Sequence, residues 1–214
     1  MVDIAVVDYG MGNLRSVSKA LEHVAPNKKV VVTSSAKEIL EAERVVFPGQ
    51  GAMPDCMREL ESRGLSDAIV QSAATKPFLG ICIGLQLLFQ HSEEGDANGL
   101  GILAGKVKRF AVNTMHDVDG NKLKVPHMGW NQVYQKQNHP MWNDIPDGER
   151  FYYVHSYFVQ PDDASLVAGV TEYPAPFTGA IAHNNIFAVQ FHPEKSQHAG
   201  LQLLSNFVQW NGKS

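Results

Sequence analysis

The string Gly80-Ile81-Cys82-Ile83-Gly84 puts a thiol between two glycines, each two residues away. It follows the apolar Pro77-Phe78-Leu79 and precedes Leu85, Leu88 and Phe89, which recur at helical spacing. The pattern predicts a strand, a sharp turn carrying Cys82, and a helix over 83–91. Glycine at the flanking positions permits strained backbone and close approach of neighbouring chain. A thiol at such a turn can act as a nucleophile, and the N–H groups after it, that of Ile83 first, can face an oxyanion on the attacked carbonyl. The same pentapeptide also suits a small buried cysteine that only lets strand and helix pack tightly.

A second chemical string lies near the other end, Phe191-His192-Pro193-Glu194. Residues 186–191 read as a strand. Pro193 biases His192 toward extended backbone, where side chains two apart share a face. Glu194 can then orient the His192 imidazole, and the imidazole can take a proton from Cys82. Alone, the pair reads first as a strand-end histidine beside a solvated glutamate. Its occurrence with the cysteine turn favours a Cys82, His192, Glu194 triad.

The elements that must hold these residues follow from periodicity. A strand is expected over 3–8, a helix over 13–24 capped by Asn13, a strand over 29–33, a short helix over 36–41 and a strand over 45–47. Helical patterns follow near 54–62 and 65–75, then a strand at 78–81. Strand-like runs lie near 106–112, 122–125, 131–135, 150–154, 157–160, 166–171, 178–182 and 186–191, and a last helix spans 197–211. Residues 92–99 and 113–121 are expected as exposed loops. Short apolar strands between helices predict an α/β fold, an open mostly parallel sheet with helices on both faces and an antiparallel extension in the second half. Nothing marks a linker, so 1–214 reads as a single domain. Sites of such sheets form at the C-terminal strand ends. Cys82, His192 and the loop Pro48-Gly49-Gln50-Gly51 all follow strands.

The 214 residues are 44% hydrophobic and 19% charged, with a formal net charge of −4. No basic stripe suggests nucleic acid. No apolar run reaches membrane-spanning length and no signal peptide is read at the N-terminus, so a cytoplasmic location is expected. Cys56 and Cys82 are the two cysteines. They support no disulfide framework, and a reducing compartment suits a free thiol. Cys56 reads as packing. Gly10-Met11-Gly12 lacks the third glycine of a dinucleotide loop, Arg15 standing there. His155 has no partner at metal spacing, so neither metal nor cofactor is expected. Trp130 reads either as core or as an exposed anchor for a partner.

The cysteine string followed by Gln86, with Phe191-His192-Pro193-Glu194, resembles the class I (triad) glutamine amidotransferases. Tyr9-Gly10-Met11-Gly12-Asn13, Pro48-Gly49-Gln50-Gly51, Pro126-His127-Met128-Gly129-Trp130-Asn131, Tyr153-Val154-His155-Ser156-Tyr157 and the continuation to Lys195-Ser196 resemble one branch. That branch is the glutaminase subunits of imidazole glycerol phosphate synthase. The resemblance implies a flavodoxin-like amidotransferase fold and attack of Cys82 on the glutamine amide through a glutamyl thioester. It further implies that His192 moves protons, Glu194 holds His192, and Gln86 with the backbone of Ser156 and Tyr157 binds glutamine. Gly49, Gln50 and Gly51 would supply an oxyanion N–H beside that of Ile83. Met11, Asn13, Trp130, Tyr153 and Lys195 would lie at the partner face or ammonia route. The implied partner is a (β/α)8 cyclase subunit that uses the ammonia in histidine biosynthesis, since the glutaminase occupies all 214 residues. Rival readings are a glutaminase of purine or pyridoxal phosphate synthesis, a cysteine peptidase or hydrolase on a similar scaffold, and a binding subunit without chemistry.

Overall fold

The computed structural model describes residues 2–111, 115–116, 120 and 123–213. Most of the expected loop 113–121, the end of the run 106–112 and the start of the run 122–125 lie outside those residues.

Five strands form the parallel half of the sheet. In spatial order they are β2 (Val30–Thr33), β1 (Ile4–Val7), β3 (Arg44–Gly49), β4 (Phe78–Cys82) and β13 (Ile186–Val189). All four residues of β1 and of β13, and all five of β4, are buried. Such continuous apolar runs are what a sheet covered on both faces demands. Two helices cover one face, α1 (Leu14–Val24) against α6 (Gln197–Gln209); α2 (Ala36–Glu41) packs with α4 (Ser66–Thr75), and α3 (Met53–Ser62) completes the set. Asn13 caps α1 as expected, its side chain accepting from the Ser16 N–H at 3.4 Å. Val17 and Leu21 are buried beneath that helix.

Beyond β13 the sheet turns antiparallel through β12 (Pro176–His183) and β10 (Tyr157–Pro161) to β7 (Leu103–Arg109). It ends in β5 (Phe89–Ser92), parallel to β7, and the short β6 (Ala97–Asn98). A branch carries β11 (Val167–Glu172), β8 (His127–Gln135) and β9 (Glu149–His155). Thus a strand from the chain's end, β13, sits between β4 and β12.

Three expectations are corrected. The helix expected over 83–91 is a single turn, α5 (Ile83–Gln86), and the chain then extends as β5. Residues 83–89 are all buried, so the spacing of Leu85, Leu88 and Phe89 reflects burial on every side rather than one helical face. The described residues 123–125 form no strand. The run 131–135 starts earlier, at His127, which brings His127 through Trp130 into β8.

Candidate active site

The glycines around Cys82 are there for space. A β-carbon on Gly84 would lie 1.8 Å from the Phe47 carbonyl oxygen, and one on Gly80 would lie 2.9 Å from the Ala188 β-carbon. Cys82 itself carries the torsional strain, at φ 55° and ψ −108°, a region L-residues seldom enter. The strain turns the chain out of β4 and into α5 within one residue. Because α5 is only one turn long, its dipole is a small part of the local field.

Gly49, at the end of β3, is paired in register with Cys82. A β-carbon there would meet the Tyr9 hydroxyl at 2.2 Å and Ile83 at 3.0 Å. Gly51 follows at φ 110°, with the Met11 methyl against it. The loop therefore runs across the mouth of the cysteine turn, where bulkier residues would not fit.

His192 is anchored from β9. Its N–H donates to the Tyr152 carbonyl at 2.9 Å, and its carbonyl accepts from the Ser196 hydroxyl at 2.7 Å. Ser196 in turn accepts from the Tyr152 N–H at 3.0 Å. The strand expected to run to 191 stops at Val189, and Glu194 lies in a 3-10 turn, Pro193–Lys195. The shared face therefore comes from that turn rather than from extended chain. The outcome is a hydrogen bond of 2.9 Å between His192 Nδ1 and Glu194 Oε1, with both side chains at most 3% exposed. A carboxylate accepting from Nδ1–H leaves Nε2 as the ring's working nitrogen. His192 Nε2 has no hydrogen-bond partner. Burial alone would lower the His192 pKa, but the Cys82 sulfur beside the ring and Glu194 behind it outweigh burial and raise it. The Cys82 thiol therefore faces a ring basic enough to take its proton.

Cys82, Ile83, Gln86, Gln50, Gly51, His192, Ser156 and Tyr157 line one cavity of about 300 Å³, with Glu94, Pro126, Val154 and His155. Three buried polar atoms around this site lack partners, namely His192 Nε2, Gln86 Oε1 and Glu194 Oε2. Such atoms near a cavity call for a ligand or water. The sequence did not single out Gln190. Its Nε2 donates toward the Cys82 sulfur at 3.7 Å, and its Oε1 accepts from Gln86 Nε2 at 3.2 Å. An amide directly after the buried strand β13 was the available signal.

The residues assigned to a partner face divide. Asn13 is exposed, Met11 and Lys195 are half-buried, and Trp130 keeps 42% of its surface. Tyr153 is fully buried, its hydroxyl 2.7 Å from Thr171 Oγ1. Cys56 is buried, with its sulfur 3.6 Å from the Gln50 carbonyl. Among the described residues no three His, Cys, Asp or Glu side chains gather as a metal site, and no helix is long and apolar enough to cross a membrane.

Burial holds three other histidines neutral, with His127 and His139 lowered to about 4 and His155 to about 3. In the unfolded chain they titrate near 6.5. Their stabilisation is therefore complete above pH about 6.5 and is lost as pH falls toward about 4, at a cost on the order of 3 kcal/mol each before coupling. Stability measured by denaturant titration is expected to be flat near neutrality and to drop steeply below pH about 6. Constant stability down to pH about 4 would contradict this.

Cys82, His192 and Glu194 thus gather at the C-terminal edge of the parallel sheet, where sites of such folds form. The chain belongs to the glutamine amidotransferase class-I family, whose model matches residues 5–210. Within that family it is 70% identical over 210 residues to the imidazole glycerol phosphate synthase subunit HisH of Thiobacillus denitrificans, covering 98% of this chain and 92% of that one. It is 64% identical to the subunit of the same name from Aromatoleum aromaticum, covering 98% and 99%. The fold is shared with a crystal structure of a putative GMP synthase subunit from Thermoplasma acidophilum, with a TM-score of 0.69, 20% identity, and 98% and 93% coverage.

Proposed function

We propose that this chain is the glutaminase subunit of an imidazole glycerol phosphate synthase, hydrolysing glutamine and passing ammonia to a (β/α)8 cyclase subunit. The observation that carries the reading is His192, bonded to Glu194 through Nδ1 and open at Nε2, beside Cys82 over the cavity. Near 70% identity to the HisH subunit supports the choice of branch. Residues 1–214 act as one amidotransferase domain, consistent with β13 being threaded between β4 and β12. Two free, buried cysteines suit a reducing cytoplasm.

The proposed chemistry starts with the Cys82 proton passing to His192 Nε2. The sulfur attacks the side-chain carbonyl carbon of glutamine, and the carbonyl oxygen becomes an oxyanion. The N–H of Ile83 and one from the 48–51 loop stabilise it, each donor being worth about 3 kcal/mol. His192 returns the proton to the departing nitrogen, which leaves as ammonia. A water, deprotonated by His192, then cleaves the thioester to glutamate. Glu194 keeps Nε2 aimed at the sulfur throughout. Gln86 Oε1, buried and unpartnered, accepts from the substrate beside the Ser156 and Tyr157 backbone.

The partner face in this reading is the outer side of β8 and β9. Met128 and Trp130 are exposed there, 62% and 42%. Val154, opposite Met128, also lines the cavity with Pro126. Apolar residues thus lead from the surface to the site; Met11, Asn13 and Lys195 would extend the partner face from other elements, and Tyr153, fully buried, would lie behind it. Trp130→Ala is expected to weaken cyclase binding at least about tenfold, read by titration calorimetry. The function is tested by glutamine hydrolysis with and without the cyclase subunit. Partner-stimulated hydrolysis is expected; peptide cleavage, or full turnover by the isolated chain, would refute the reading.

A further inference from the structure

Resting on that glutaminase reading, we infer that His127 and His155 are positioning residues of the glutamine site. They form a hydrogen-bond relay of fixed polarity that orients the Tyr157 carbonyl and, through it, Gln86.

Every proton in the relay can be assigned from its ends. Asn131 Oδ1 accepts from the Gln132 N–H at 2.8 Å, so its other atom is the amide nitrogen. That nitrogen donates to the Glu172 carbonyl at 2.9 Å and toward His127 Nε2 at 3.3 Å. His127 Nε2 must therefore accept, and the His127 proton sits on Nδ1. His127 Nδ1 lies 2.9 Å from His155 Nε2, which must accept in turn. The His155 proton then sits on Nδ1, 2.8 Å from the Tyr157 carbonyl. Both rings are neutral Nδ1–H tautomers. Protonating either ring would set a donor against a donor.

The relay ends where the ligand binds. The Tyr157 carbonyl accepts from His155 Nδ1 and also from Gln86 Nε2 at 3.1 Å, so both of its lone pairs are used. Gln86 is bonded onward to Gln190, and Gln190 to the Cys82 sulfur. The cavity wall thus inherits its register from β8. Stacking supports the rings, His127 lying 3.9 Å from the Tyr173 ring and 5.0 Å from that of Tyr153. His155 ends β9, and Ser156 alone separates it from β10. Without its donor the Tyr157 carbonyl loses one of two tethers, and Gln86 loses its fixed direction. The loss falls on ligand binding rather than on proton transfer at Cys82, because His192 and Glu194 stand outside the relay.

The test combines a spectroscopic and a kinetic measurement. Histidine ¹⁵N spectra of the full chain at neutral pH are expected to show His127 and His155 as neutral Nδ1–H tautomers. In His127→Phe, the Tyr157 carbonyl still holds the His155 proton on Nδ1, but Nε2 loses its donor, and its ¹⁵N shift is expected to move toward that of an unbonded acceptor nitrogen. In the complex with the cyclase, His155→Phe is expected to raise KM for glutamine about tenfold with kcat changed less than about threefold. His155→Asn, which restores a donor at the Nδ1 position, is expected to recover most of that loss. An Nε2–H or doubly protonated ring at neutral pH overturns the inference, even if His155→Phe fails to fold. So does an unchanged KM in His155→Phe, or equal losses in Phe and Asn variants that track a fall in Tm. A wild-type complex that hydrolyses no glutamine rejects the glutaminase reading itself, a result distinct from any of these.

Discussion

Cys82→Ala is expected to lower glutamine hydrolysis by about 10⁴-fold or more, the scale on which removal of a triad nucleophile acts. Alanine keeps the β-carbon, so the strained turn and its neighbours persist and the loss is one of chemistry. The sulfur also sits in the field of His192 and accepts from Gln190; neither contact can substitute for a nucleophile. Added ammonium salt is expected to restore product formation by the complex, since only delivery of ammonia has been removed. Cys82→Gly makes the complementary point. Its φ of 55° suits glycine, and relief of strain of about 1–2 kcal/mol is expected to leave the inactive variant at least as stable as the parent. Residual hydrolysis within tenfold of the parent in Cys82→Ala would remove the nucleophile assignment.

Gly84→Ala is the second large effect. The added methyl would stand 1.8 Å from the Phe47 carbonyl oxygen, a backbone atom of β3 that cannot rotate away. Either β3 and α5 separate or the cysteine turn shifts. A destabilisation of about 3–5 kcal/mol is expected in urea melts, with activity falling because Cys82 moves off His192. Gly80→Ala meets the Ala188 β-carbon at 2.9 Å and the Gly84 carbonyl at 3.1 Å, milder overlaps than that at Gly84, and is expected to cost less. Equal stabilities for Gly84→Ala and the parent would show that the turn is not close-packed as described.

Local signals in the sequence were sufficient where the physics is local. Asn13 followed by Leu14, Val17 and Leu21 specifies a capped amphipathic helix, and the structure has one. Continuous apolar runs specified the parallel strands. The Cys82 turn was legible only together with the His192-Pro193-Glu194 string, because the flanking glycines alone fit tight packing of a buried cysteine equally well. Signals failed where burial is complete. Leu85, Leu88 and Phe89 are buried whatever the backbone does, so helical spacing over 83–91 carried no information about a face. The pairing of His192 with Glu194 was legible while its cause was not, because a proline after a strand can lead into a 3-10 turn as readily as into extended chain. Tyr153 and His155 were noticed, but their neighbours come from β8 and β11, and such contacts leave no trace in spacing along one strand. Gln190 was passed over for the same reason; its partners Gln86 and Cys82 lie more than a hundred residues earlier.

The bare Met128 and Trp130 on β8 bear on the life of the polypeptide before assembly. In the proposed pairing, a newly made copy would hold those side chains in water until the cyclase subunit bound, and β8 with Tyr134 also exposed would be a surface for misdirected association. A cell gains by synthesising the two polypeptides in matched amounts, and unmatched copies are natural clients for chaperones and proteases. Solubility of the lone polypeptide should rise when Trp130 is made polar, even as the assembled enzyme suffers.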